Sequence, residues 1–448
     1  MGTRFRSHAP PTVLRTLFRK VKAPGVGRAG TTTLAATAVA LAANLATGIV
    51  LARVLGATGR GELTAILAVA PFVAWIVGLG GGQAVTYHQA RRPEEGRALV
   101  ATYALLALPL GLLAIAAAEA VVHITFSAQT SATRGLAEVF VLTAAGTVLG
   151  DVSFGALFGD QDFALYNLQR ILQPLATLAL YLALSAAHRL DVGMALVTVA
   201  MVGTVATLAG AIRVIRRLGI GRPSMRLAQT TLWYGLKAHG TNVAGLMNTR
   251  LDMLLLPAFV LAPQIGVYAV AVSVSGMILS FAGALSLIVL PMAARRVGDD
   301  QASLVLGTMR ASAAIAGAIA ILLAAVGPSA LRLAYGAAFV DSVAPMRLLL
   351  PGTVLFVSAG VLVQGLYATN RPFSASLAQF AGLVVTAPGL LLVLPRGGGI
   401  MAAALISSFS YAAVFVVAAV LYCRTVHIPL RRLVCRTHLP RVPRADAA

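Results

Sequence analysis

A succession of long apolar runs, each close to the length that crosses a bilayer, constrains this chain more than any other feature. As a helix, about 20 apolar residues span the roughly 30 Å hydrocarbon slab. Twelve such runs can be read, near residues 31–52, 63–87, 98–122, 137–158, 166–187, 192–212, 238–260, 264–291, 302–326, 343–367, 373–394 and 399–423. In lipid the backbone must satisfy its own hydrogen bonds, which leaves helices and closed barrels as the only solutions. A barrel needs short alternating segments, whereas these runs are continuous. Composition agrees: 58% of residues are hydrophobic and only 11% charged, against about 25% charged in a soluble domain. The chain reads as an all-α polytopic membrane protein of about 12 transmembrane helices. Its abundant Ala and Gly let such helices approach closely.

The formal net charge of +21 would suggest a nucleic-acid partner in a soluble protein. Here the basic residues sit in loops and tails, so membrane topology and anionic lipid headgroups account for them, and no nucleic acid is expected. With the N-terminus inside, the outer segments hold only Arg53, Arg60, Arg134, Arg189, Arg332, Arg347 and Arg396. Arg250 and Arg310 fall within spans, and the rest of the 35 Lys and Arg are inside. This asymmetry predicts a multi-pass protein of a cell membrane with both termini cytoplasmic. The two cysteines, Cys423 and Cys435, read as free thiols, too few for a disulfide framework and without zinc-ligand spacing.

Five segments follow. Residues 1–30 are a basic cytoplasmic segment in which 12–21, TVLRTLFRKV, has the pattern of a surface amphipathic helix and not of a cleaved signal. Residues 31–212 form a first six-helix half, 213–237 a basic cytoplasmic joint, 238–423 a second six-helix half and 424–448 a basic tail. The halves look related. Residues 55–72, LGATGRGELTAILAVAPF, and 260–278, VLAPQIGVYAVAVSVSGMI, enter the second and eighth spans alike, with Gly61 and Gly266 in equivalent places. Six spans per repeat predict a symmetry axis along the membrane normal.

The seventh span carries the most informative chemistry. Within residues 231–260, Arg250 and Asp252 sit near the middle of an otherwise apolar stretch. A charge at the centre of a spanning helix costs roughly 2.5–3.5 kcal/mol on insertion scales, so neither side chain faces lipid. Residues two apart point about 200° apart on a helix, so the two do not simply pair. Thr241, Gly245, Asn248 and Asp252 share one stripe; His239, Val243, Leu246, Arg250 and Pro257 share another. The helix needs polar surroundings on two faces, met by a central cavity on one side and its own bundle on the other. A buried structural role for both charges competes with a transport role. Prolines within spans, Pro71, Pro109, Pro174, Pro257, Pro291, Pro351 and Pro388, and the glycines of 78–82 can kink helices, a weak signal for gates.

Several stretches together resemble the multidrug/oligosaccharidyl-lipid/polysaccharide exporter superfamily, and within it the Wzx-type polysaccharide-biosynthesis flippases. They are 51–62 (LARVLGATGRGE), 78–83 (GLGGGQ), 233–236 (WYGL), 250–256 (RLDMLLL) with 266–271 (GVYAVA), and 333–339 (LAYGAAF). Each is low in specificity; their order and spacing carry the likeness. The resemblance implies two six-helix lobes opening alternately around a central cavity. It also implies export of an undecaprenyl-pyrophosphate-linked oligosaccharide from the inner to the outer leaflet of a bacterial inner membrane. A polysaccharide polymerase and glycosyltransferases would be the partner enzymes.

Such a substrate has an anionic diphosphate, which a planar guanidinium can hold by two oxygens. Arg250 is the main candidate for that contact, Arg310 in the ninth span a second, with snorkelling towards the cytoplasm as its competing role. Asn44 in the first span is a candidate cavity residue, or an interhelical hydrogen bonder. Asp252, with Asn248 and Thr241 on its stripe, could bind H+ or Na+ and couple transport to a gradient; Asp151 in the fourth span is a rival. No other cofactor and no metal is expected. A multidrug or cation antiporter of the same fold is the nearest alternative and would favour an acidic cavity. A membrane glycosyltransferase or polymerase would need acids on large outer loops, and this chain has short ones. No glycine loop followed by Lys-Ser/Thr is present for ATP. A non-transporting scaffold of the same fold is the last alternative.

Overall fold

The computed structural model describes residues 26–433. Within them the side chains at 26–35, 163, 164, 166, 238, 241, 280–288 and 291 are not described. The amphipathic stretch 12–21 and the tail beyond 433 therefore lie outside the described residues, as do the side chains of Thr241 and Pro291.

The described residues are helical, without strands. In chain order they are α1 (Val26–Val77), α2 (Gly81–Arg91), α3 (Gly96–Thr125), α4 (Ser131–Phe140), α5 (Thr143–Gly159), α6 (Phe163–Ala186) and α7 (Val192–Leu218). The second half comprises α8 (Met225–Leu255), α9 (Ala262–Ala293), α10 (Gly298–Tyr335), α11 (Val343–Ala368), α12 (Pro372–Val393) and α13 (Gly399–Thr425). Nine stretches among the described residues are long and apolar enough to cross a membrane, and the helices can be assigned in order to the twelve expected spans. α1 holds two of these, because Gly56 (φ 66°, ψ −171°) breaks it in a conformation that glycine adopts at little cost. The second span then runs on into α2 across a break at residues 78–80, where Leu79 and Gly80 have φ of 49° and 69°. The fourth span is α4 plus α5. The end bearing Gly56, the α3–α4 turn and the start of α9 is called outer, after the charge asymmetry of the sequence.

The chain folds as two six-helix lobes around a central cavity, and α1 and α9 meet at the lobe boundary. A Cβ on Gly61 would lie 1.7 Å from the Ala262 carbonyl oxygen, and a Cβ on Gly266 would lie 2.1 Å from that of Ala57. The contact is reciprocal: each glycine faces the carbonyl of the small residue one turn earlier on the other helix. That is the self-complementary pattern of a two-fold axis, carried by small residues four apart. The equivalence of Gly61 and Gly266 in the sequence is thus a physical contact between the repeats.

Two expectations need correction. The joint at 213–237 is not a long connection: α7 runs to Leu218, α8 begins at Met225, and only residues 219–224 link them. Arg213, Arg216 and Arg217 occupy the last turns of α7, where cations suit the helix end; Arg226 and Lys237 ride on α8. Hydropathy reads such a charged helical extension as loop. α8 also passes through the 237/238 boundary without a break. Its first half packs on the N-terminal lobe, with Tyr87 and Tyr234 stacked at 4.2 Å and Arg226 bonded to Glu95 at 3.0 Å. Secondly, Arg60 is not in an outer loop. Because Gly56 alone makes the turn, the helix resumes at Ala57 and carries Arg60 inward.

At the end opposite the outer one Asp162 clamps the α5–α6 turn to α7. It caps α6 by accepting the Leu165 amide and accepts from Arg213 at 3.2 Å and Arg217 at 3.1 Å. Burial pushes this carboxyl up, and the Leu165 amide with Arg213 and Arg217 more than offsets that, so it sits below the usual carboxylate range.

Two outcomes follow. Gly266→Val must force α1 and α9 apart, and overpacking of this kind costs about 1–3 kcal/mol; the variant should melt below the parent in detergent, and equal melting would contradict the seam. A depressed carboxylate gives stability that is present above its unfolded value of about 3.9 and is lost as pH falls through its lower folded value. Asp162→Asn should therefore flatten the acid limb of a pH–stability curve below about pH 4; an unchanged limb would show that the clamp carries no such linkage.

Candidate functional site

Between the lobes lies a cavity of about 960 Å³. Its N-terminal wall is a stripe of α1 at helical spacing: Arg60, Thr64, Leu67, Pro71 and Trp75, with Asn44 from the preceding span. Its C-terminal wall comes from α8, α9, α11 and α13, including Arg250, Met253, Ser273, Phe356 and Tyr411. Among the described residues, hydroxyls and aromatic rings make up most of the functional groups in the lining, and the cationic groups are the guanidiniums of Arg60 and Arg250.

Arg250 is exposed on the cavity side of α8. Arg60 is half-buried beside Tyr335, and its Nε is sealed from solvent with no hydrogen-bond partner. Both lie within a few residues of the outer ends of their helices, so the cationic groups occupy the outer part of the cavity. A guanidinium that borders a cavity can offer its remaining donors to an anion there. Asn44 lines the same space, as expected.

Asp252 reaches the edge of the cavity, but its carboxylate turns into the C-terminal lobe. Tyr268 donates its hydroxyl to Oδ2 at 2.5 Å, Ser407 donates at 3.2 Å, and the Met253 amide donates to Oδ1 at 2.7 Å. One turn earlier, Asn248 donates to the Gln379 carbonyl at 2.9 Å. Its Oδ1 accepts from Ser410 at 3.4 Å and lies 3.3 Å from the Thr386 hydroxyl oxygen. Thr386 in turn donates to Ser410 at 2.6 Å. Gly382 makes room for this approach: a Cβ there would sit 2.8 Å from Asn248 Nδ2. Asn248, Asp252, Tyr268, Thr386, Ser407 and Ser410 are all buried. The result is two oxygen-rich groups one turn apart on α8, the one shared with α9 and α13 and the other with α12 and α13, the ligand chemistry that hard cations take.

Asn248 and Asp252, read from the sequence as one stripe, both turn into the C-terminal lobe, each with its own polar partners. Tyr268, Gln379, Thr386, Ser407 and Ser410 were not anticipated; their only signal is that each is a polar group in an apolar span. Asp151 lies apart from the cavity wall, on α5, where it accepts the Gly82 amide at 2.9 Å at the start of α2. Arg310 also lies off the cavity wall, on α10, with Nε donating to the Leu306 carbonyl at 3.2 Å. Glu119 stands at the outer end of α3, 3.3 Å from His123.

A protein family described as "Polysaccharide biosynthesis protein" matches residues 50–344. No curated protein matches the chain in sequence. Among solved structures, the lipid II flippase MurJ in an inward closed conformation is similar with a TM-score of 0.73 at 14% identity, covering 90% of this chain and 88% of that one. A multidrug resistance MATE family transporter of the MOP superfamily, inward-facing, gives 0.70 at 16% identity over 91% of this chain and all of that one. The MATE multidrug transporter DinF-BH in complex with R6G gives 0.62 at 15% identity, covering 94% and 98%. At these identities the likeness is one of fold.

Proposed function

The chain belongs to the polysaccharide biosynthesis protein family, and from that premise we propose that it is a flippase for an undecaprenyl-pyrophosphate-linked oligosaccharide. It carries the headgroup from the inner to the outer leaflet of a bacterial inner membrane by alternate opening of its two lobes, with both termini cytoplasmic. It is a transporter and not an enzyme. Its lipid-linked substrate is made by glycosyltransferases and handed to a polysaccharide polymerase.

One observation carries this reading: Arg60 and Arg250 bring two guanidinium groups into a single cavity whose remaining polar groups are chiefly neutral. A diphosphate and its sugars need that combination. Crossing hydrocarbon unaided is prohibitive for such a headgroup. The forked donors of two arginines can take the diphosphate oxygens, and hydroxyls and aromatic faces suit sugars. A cationic drug would meet two positive charges here, which argues against the antiporter alternative. Export is coupled to H+ or Na+ through the polar groups around Asp252 and Asn248, with Asp252 the group that takes the ion.

With undecaprenyl pyrophosphate as probe and protein in nanodiscs, Arg60→Ala and Arg250→Ala should each weaken binding about 10- to 100-fold, the loss of a charge-assisted pair. Arg310→Ala, off the cavity wall, should bind as the parent does. Unchanged affinity in both cavity variants would end the proposal. Asp252→Asn should keep probe binding but stop gradient-driven appearance of lipid-linked glycan on the outer face; full export in that variant would remove the coupling role.

A further inference from the structure

Two side chains of the N-terminal lobe reach across the outer end of the molecule to backbone carbonyls of the C-terminal lobe. Arg53, exposed on α1, donates from Nε to the Ala334 carbonyl at 2.8 Å and from a terminal nitrogen to that of Leu333. Those carbonyls belong to the last turn of α10, where no further helical amide is available to them. Gln129, in the turn between α3 and α4, donates its amide to the carbonyls of Pro257 at 2.8 Å and Val260 at 2.9 Å. These carbonyls lie in and just beyond the 3-10 turn Leu256–Ala258 that ends α8. The pattern is the same twice: a donor from one lobe satisfies the orphaned carbonyl end of a helix in the other. For Arg53 the negative end of the α10 dipole adds to the attraction.

Both contacts flank the glycine seam of α1 and α9 and act between lobes. A bond of the same type within one lobe provides the comparison. Arg347 on α11 donates to the Ala324 carbonyl of α10 at 3.0 Å, a carbonyl whose usual partner is missing because Pro328, four residues on, has no N–H.

We infer that Arg53 and Gln129 form a latch that holds the outer end of the lobes closed and sets how readily it opens. The inference rests on the alternate-opening reading, and it names the residues that bias that equilibrium. The carbonyls they cover lie near the outer interface, where water can replace the donors once the lobes part. The latch therefore holds modestly, as a reversible gate must.

The test places spin labels at Ala132→Cys and Ala338→Cys, exposed positions on opposite lobes at the outer end. The full chain in nanodiscs is used, with Cys423 and Cys435 replaced by Ala, and the distance distribution is read by pulsed electron resonance. Arg53→Ala and Gln129→Ala should each raise the ratio of separated to closed population roughly 2- to 10-fold, the range for loss of one net hydrogen bond. The double variant should multiply the two effects, since the contacts share no partner. Arg347→Ala should leave the ratio at the parent value. A separated population present in the parent but unmoved by the Arg53 and Gln129 variants overturns the latch and leaves alternate opening intact. A single closed distance in every variant overturns both. A shift of equal size in Arg347→Ala overturns the latch by showing a general loosening.

Discussion

Helices in a bilayer gain little hydrophobic advantage from touching each other, because lipid tails are as apolar as leucine. The lobes of this protein meet most closely by direct backbone approach, at Ala57 and Gly61 on one helix and Ala262 and Gly266 on the other. Dispersion and weak Cα–H···O contacts act only at such short range. A side chain at either glycine would hold the helices apart, and the walls of the cavity would no longer face one another at their present spacing. The Arg60 and Arg250 arrangement depends on this seam, since Arg60 immediately precedes Gly61.

The charges within the membrane fall into two regimes. Arg60 and Arg250 border a space wide enough for a ligand and lean on it for their solvation. Asp252 is treated in the opposite way, closed in by Tyr268, Ser407 and its neighbour's amide. Two groups two residues apart on α8 thus meet different environments because the helix turns them to opposite sides. A buried carboxylate is tolerable only when its oxygens are satisfied or it is neutralised. Here hydroxyl donors provide the satisfaction, and an ion arriving among them would compete with those donors for the same oxygens.

The sequence made the span count and the paired repeats legible, because each is a one-dimensional pattern of hydropathy or of small residues. Arg250, Asn44, Asp252 and Asn248 were legible for a related reason: a polar group in an apolar run must be explained. Arg60 was not, since LGATGRGEL reads as a polar turn until one knows that Gly56 alone makes the turn. Arg226 and Lys237 were misplaced into a joint because a helix that projects from the membrane loses its apolar signal while keeping its hydrogen bonds. Ser407, Ser410 and Thr386 lie far from Asn248 in the chain, and periodicity cannot say which helix faces which. Asp151 shows the converse. Its intramembrane charge invited a role in coupling, and the structure has it accept, from the middle of α5, the first-turn Gly82 amide of α2 within the N-terminal lobe.

The unbroken course of α8 has a consequence for how the chain can be divided. This helix begins on one lobe and ends in the other, so the border between the lobes does not coincide with any border in the covalent sequence. A pair of fragments meant to reassemble would have to be severed in the short link of residues 219–224. The later fragment would then carry, at its front, a limb that belongs in the embrace of the earlier one.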